Sequence, residues 1–110
     1  HETTLQDLKT AVKNFIADRN WKSFHNPKNV AMSIAIEAAE IMEHFQWISI
    51  PEGREKMQNS ESRAEVADEL ADVLIYCLSF ANETGIDVSE AIKLKLDRNE
   101  LRFPAENADA

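Results

Sequence analysis

The chain has 110 residues, enough for one domain with a single core but small enough that association with another copy would help it. A formal charge of −8 argues against a protein that grips a nucleic acid polymer by its phosphates, because that mode needs clustered Lys and Arg. The same charge leaves room for a phosphorylated small molecule, since divalent cations can sit between an acidic site and a polyanion.

Only two glycines and three prolines interrupt charged and aliphatic residues that recur at helical spacing, which predicts a single all-α domain over residues 1–110. The first helix is expected over about residues 3–19, with Thr3-x-x-Gln6 as a capping box and Leu5, Leu8, Val12 and Phe15 as its buried stripe. Residues 20–26 form a loop that carries Trp21, Phe24 and His25, too aromatic for a mere spacer and suited to covering a pocket. Asn26-Pro27 supplies an N-cap and a first-position proline for a second helix over about 27–47. Residues 48–59 hold Pro51, Gly53 and mixed charge, and read as a loop able to carry a short helical turn. A third helix over about 60–83 ends at Thr84-Gly85, and Asp87-x-x-Glu90 is a capping box for a fourth over about 88–102, ahead of Pro104. Four helices in so short a chain predict a four-helix-bundle-like fold, with residues 105–110 as a frayed tail.

Two further exclusions follow. The sole cysteine, Cys77, falls on an apolar helical face and can form neither an internal disulfide nor a cysteine-rich zinc site. No apolar run is long enough to span a bilayer and no signal peptide precedes the first helix, so the expected address is cytoplasmic, without a membrane partner.

The chemistry concentrates in the second and third helices. Glu37 and Glu40 sit inside Val30 to Met42, a stretch otherwise almost entirely apolar or small. Burying carboxylates is costly unless something compensates. At about 100° per residue, Glu40 falls at about 300° from Glu37, and Ser33 and His44 lie between them. Apolar residues flank this narrow stripe on both sides, with Val30, Ile34, Ile41 and Phe45 on one and Met32, Ile36 and Trp47 on the other. A solvated helix face, the ordinary explanation for Glu-x-x-Glu in an acidic protein, lacks such flanks.

Glu69 and Asp72 repeat the spacing on the third helix, at the edge of an apolar face made by Val66, Leu70, Val73 and Cys77. Residues three apart share a helix face, so each pair is a two-pronged oxygen ligand. Facing one another, the two pairs suit one or two Mg²⁺ ions. A di-iron bundle would require Glu-x-x-His on two helices, and here Ile41 stands three residues before His44. The sequence contains no Gly-x-x-x-x-Gly-Lys loop, no His-Glu-x-x-His and no Gly-x-Ser-x-Gly elbow.

Lys95, Asn99 and Arg102 share a face of the fourth helix, either as an exposed polar stripe or, for Asn99, as an amide near the core able to read a base edge. Trp47 and Tyr76 lie at or near the ends of the carboxylate stripes, where a planar ligand can stack, although aromatics at helical spacing are usually packing.

Glu37-Ala-Ala-Glu40, then Glu43 and Phe45-Gln46-Trp47, then Asp68-Glu69-Leu70-Ala71-Asp72-Val73-Leu74-Ile75-Tyr76, resembles the MazG-type all-α nucleoside triphosphate pyrophosphohydrolases, in particular their dCTP pyrophosphatase branch. The likeness extends to Trp21-Lys22-Ser23-Phe24-His25-Asn26-Pro27, to Lys95-Leu96-Asp97-Arg98-Asn99 and to Arg102-Phe103-Pro104. The resemblance implies Mg²⁺-dependent hydrolysis of a nucleoside triphosphate between its α and β phosphates, to the monophosphate and pyrophosphate, with Mn²⁺ a candidate substitute. It implies Glu37, Glu40, Glu69 and Asp72 as metal ligands and catalytic carboxylates. Trp47, Tyr76 and Asn99 would hold base and sugar, Trp21 would close the pocket, and Lys95 and Arg102 would meet phosphates. Dimers, or tetramers made of two dimers, are implied as well. One departure is Val12, where the vertebrate dCTP enzymes carry a histidine. The expected substrates are ordinary deoxynucleoside triphosphates, dCTP first, in nucleotide-pool housekeeping. The competing reading is a non-catalytic helical module that senses a nucleotide or metal or binds a partner.

Overall fold

The computed structural model describes residues 2–105; His1 and residues 106–110, which include nearly all of the expected frayed tail, lie outside the described residues. Within them every regular element is helical: α1 Leu5–Asp18, α2 Pro27–Glu43, α3 Ile50–Lys56, α4 Ser60–Thr84 and α5 Val88–Arg102, with a 3-10 turn Lys22–Phe24 joining α1 to α2.

Caps set the boundaries. The box that opens α1 is Thr4 with Asp7 rather than Thr3 with Gln6: Thr4 Oγ1 accepts from the Asp7 N–H at 3.1 Å, and the Asp7 carboxylate accepts from the Thr4 N–H at 3.0 Å. Gln6 is spent elsewhere, donating to Thr10 Oγ1 one turn on at 3.4 Å. Asn26 caps α2 through the Asn29 N–H at 2.9 Å, with Pro27 in the first turn. Asn59 and Asp87 open α4 and α5 in the same manner, accepting from Ser62 N–H and Glu90 N–H. Gly85 closes α4 at φ +71°, a left-handed conformation that favours glycine.

α2 stops at Glu43, short of the expected end near Trp47. The cause lies just downstream, where Ser49 and Glu52 form a reciprocal capping box that starts α3 with Pro51 in its first turn. α3 then folds back on the end of α2. Lys56 Nζ donates to the His44 carbonyl at 3.0 Å, and a Cβ at Gly53 would stand 3.4 Å from the Phe45 ring.

The main packing contact is α2 against α4, and α1 lies on α4. Ile16, Val30, Val66, Leu78 and Ala81 are buried there, together with Ser79. The α1 stripe differs from expectation: Ile16 is its buried residue, while Leu8 and Phe15 are about half exposed because their face borders an open cavity. Asn82 Nδ2 donates to the Lys9 carbonyl at 3.0 Å and ties α1 to the far end of α4. α5 packs sparsely on the rest of the chain, leaving Leu96 and Phe103 exposed and Leu101 at 85%. No described helix is long and apolar enough to cross a membrane.

Candidate active site

The acidic pairs of α2 and α4 act on one another. The Glu37 carboxyl is held above its ordinary value of 4.5, first by a side-chain hydrogen bond with Glu40, then by burial, then by the negative charges of Glu40, Asp72 and Glu69. A hydrogen bond between two carboxyl groups requires a proton on one of them. All four acids therefore bear on a single group. Glu37, Glu40 and Glu69 are half-buried and Asp72 is exposed.

Among the described residues, no three acidic, histidine or cysteine side chains are gathered into a ready-made metal cage. Nor does any lysine or arginine there pair with these four acids; their one ion-pair contact is from His44 to Glu69. An oxygen-rich acidic set without a lysine or arginine partner among the described residues fits a hard divalent cation.

Beside the acids lies a cavity of about 460 Å³, within the range of small-molecule sites. Leu8, Val12, Phe15 and Trp21 line one side, and Asp72, Ile75 and Tyr76 the other, with His25 between. Its aromatic rings form a series. Phe15 meets Trp21 edge-on at 5.7 Å, Trp21 and His25 are within 3° of parallel at 6.4 Å, and His25 and Tyr76 are within 15° at 6.4 Å. The 3-10 turn sets this order, because His25 Nδ1 lies 2.9 Å from the Trp21 carbonyl. Asp72 belongs both to the cavity wall and to the acidic group.

Of the residues singled out in the sequence, Glu40, Glu69 and Asp72 lie near enough to act on the Glu37 carboxyl, and Trp21 and Tyr76 line the cavity that Asp72 borders. Trp47 does not join them in the single chain: it follows the end of α2, is 88% exposed and is absent from the cavity wall. Lys95 borders a shallow apolar groove on α5 with Val88 and Ile92. Asn99 is half-buried, and Arg102 is exposed with its guanidinium 5.2 Å from the Phe103 ring. His25 and Phe15 were not among the expected site residues. For His25 the only signal was its place in an aromatic loop.

The chain is thus an all-α protein in which two packed helices carry paired acids beside a cavity lined by aromatic side chains. The MazG-like family profile matches residues 32–110, and the chain belongs to that family. It is 36% identical over 103 residues to dCTP pyrophosphatase 1 of Rattus norvegicus and 36% identical over 104 residues to that of Homo sapiens, each match covering 94% of this chain and 61% of the relative. The chain therefore spans about three-fifths of the length of these relatives. A crystal structure of a pyrophosphatase from Archaeoglobus fulgidus superposes with a TM-score of 0.85 at 39% identity, covering 94% of this chain and 95% of that one. The all-α class and the MazG-like fold are as the sequence led one to expect.

The Glu37 proton gives a testable sign. With its folded value raised, the native state keeps a proton that the unfolded chain has lost just above pH 4.5, so stability attributable to Glu37 falls as pH rises through that interval. Glu37→Gln, which mimics the protonated form, should gain thermal stability relative to wild type between pH 4 and pH 7 in a chelating buffer. Melting curves of the two proteins at matched concentration check this; a gap that is constant with pH contradicts it.

Proposed function

We propose that this domain hydrolyses deoxynucleoside triphosphates to the monophosphate and pyrophosphate with Mg²⁺, favouring dCTP, as cytoplasmic nucleotide-pool housekeeping. The observation that carries the reading is the position of Asp72, shared between an acidic group that needs a cation and an aromatic cavity sized for a nucleoside. Family membership and the pyrophosphatase relatives support it.

Glu37, Glu40, Glu69 and Asp72 hold the metal. When bound, Mg²⁺ (or Mn²⁺ in its place) supplies the positive charge that lets a triphosphate lie against four acids and draws electron density from its phosphorus. Trp21, His25 and Tyr76 stack on and flank the base, as base–aromatic contacts do elsewhere. One carboxylate of the four accepts the proton of the attacking water, whose oxygen forms the new bond to the α phosphorus as the bond to the bridging oxygen breaks. Pyrophosphate leaves with that oxygen. The half-burial of Glu37, Glu40 and Glu69 shields them in part from bulk water, where their pull on the proton would be weaker.

Trp47, Lys95, Asn99 and Arg102 complete the site from a neighbouring copy. The surface supports an oligomer: the chain exposes 8714 Å², where a folded monomer of 12.5 kDa exposes roughly 6,200 Å². Its radius of gyration is 17.2 Å, against roughly 13 Å for a compact domain of about 100 residues. An excess of this size is what an obligate homo-oligomer interface buries. Light scattering after size exclusion should give a dimer, or a tetramer built from two dimers; a stable monomer at micromolar concentration contradicts it.

The test of the function is a panel of ribo- and deoxynucleoside triphosphates incubated with Mg²⁺ and resolved by chromatography. Monophosphate and pyrophosphate in equal amounts, most from dCTP, is the expected result. Orthophosphate as the product contradicts the proposed bond. Nucleotide binding without turnover would instead favour a sensing module.

A further inference from the structure

His44 ends α2 and makes the one ion-pair contact to the four acids among the described residues. Its Nε2 lies 2.6 Å from Glu69 Oε2, with the two side chains only 16% and 26% exposed. That oxygen is buried and sits off the axis of the ring N–H, so no aligned donor satisfies it. The backbone beneath the imidazole is held on both sides. The His44 N–H donates to the Ile41 carbonyl at 3.1 Å, and the His44 carbonyl accepts from Lys56 Nζ at 3.0 Å. Its ring also tilts against Phe45, with centroids 6.3 Å apart. A side chain anchored at the end of α2 and braced by α3 thus reaches across to a carboxylate of α4.

We propose that His44 is a positioning residue for the metal site: its Nε2–H anchors Oε2 of Glu69 and leaves Oε1 to meet the cation. The inference rests on the proposed metal-binding role of Glu69 and deepens it. Glu69 and Glu37 bear like charge, and the rotatable side chain of Glu69 gains conformational entropy by swinging into solvent. An anchored donor on one oxygen opposes both tendencies before any cation arrives. Rotation about the soft second torsion of the imidazole is the motion by which the N–H would come into line with Oε2. Lys56 acts one step further out, fixing the backbone from which the imidazole projects. Partners of this kind orient metal-bound carboxylates, and losing one typically weakens metal affinity by roughly 10- to 100-fold.

The test uses Mn²⁺ binding to the nucleotide-free protein, followed by the electron paramagnetic resonance of the free ion. His44→Leu keeps the volume and removes the donor, whereas His44→Gln places an amide N–H near the position of Nε2. Expected are a roughly 10- to 100-fold weaker Mn²⁺ affinity for the leucine variant and recovery of most of it by glutamine. In a Glu69→Gln background, His44→Leu should have no further effect, because the anchored group is gone. Wild-type affinity in His44→Leu overturns the proposal, and so does a glutamine variant that folds with the wild-type helical content and oligomeric state yet binds as weakly as leucine. Electron spin-echo modulation from a coordinated nitrogen, lost in His44→Gln, would make His44 a ligand and overturn the positioning role. Should the leucine variant not fold, His44→Gln and the nitrogen signal still decide. Glu69→Gln run alone separates the two levels: unchanged Mn²⁺ affinity there removes the site reading itself, while weakened affinity there with none in His44→Leu removes only the role of His44.

Discussion

Glu69→Gln is expected to lower kcat/KM for dCTP by at least about 10³-fold, the scale of losing a strong electrostatic contact to a transition state. The negative charges of Glu40, Asp72 and Glu69 already hold the Glu37 carboxyl above its ordinary value. A neutral amide in place of Glu69 reduces the attraction for a divalent cation, and the three remaining acids then repel the triphosphate more than they hold it. The fold should survive, since Glu69 is half-buried and makes no contact to Lys or Arg whose loss would strand a charge. Helical content by circular dichroism should match wild type while turnover collapses. Turnover within a few-fold of wild type would remove Glu69 from the site.

Trp21→Ala is expected to raise KM for dCTP by roughly 10- to 100-fold, the usual worth of one base–aromatic stack, with a smaller change in kcat. Trp21 is 44% exposed and follows α1 at the cavity mouth. Its ring is held edge-on by Phe15 and lies parallel to His25, so the face offered to a base is preset rather than ordered on binding. Removal costs binding of the ground state and the transition state alike, which is the signature of a KM effect. Steady-state kinetics check the split. A loss confined to kcat would place Trp21 nearer the chemistry than the cavity suggests.

How far the sequence disclosed this arrangement depends on which residues are considered. The register of Glu37 with Glu40 and of Glu69 with Asp72 is legible because helical periodicity is a property of the local chain, and apolar flanks mark which way a stripe faces. The helix caps at Asn26, Asp87 and Gly85 are local for the same reason. His25 was legible only as part of an aromatic loop suited to covering a pocket. It lies in a loop where no period applies, and its ring is placed by a 3-10 turn and one contact to the Trp21 carbonyl. His44 lay on the right face of the wheel, between Glu37 and Glu40, but its partner comes from α4 and only packing reveals it.

Trp47 shows a local rule beaten by another. The stripe of α2 projects onto it, yet the Ser49-x-x-Glu52 box and Pro51 start a new helix first, and Trp47 is left in the turn. Lys95, Asn99 and Arg102 share a face as expected, but α5 packs too sparsely within one chain for its period to say what that face meets.

The acids of α2 and α4 are expected to direct water to the α phosphorus of a deoxynucleoside triphosphate. The most direct test is hydrolysis of dCTP with Mg²⁺ in ¹⁸O-enriched water, followed by mass spectrometry of both products. One heavy oxygen in dCMP and none in pyrophosphate is the predicted result. Label in pyrophosphate, or in orthophosphate released from the terminal position, would contradict it.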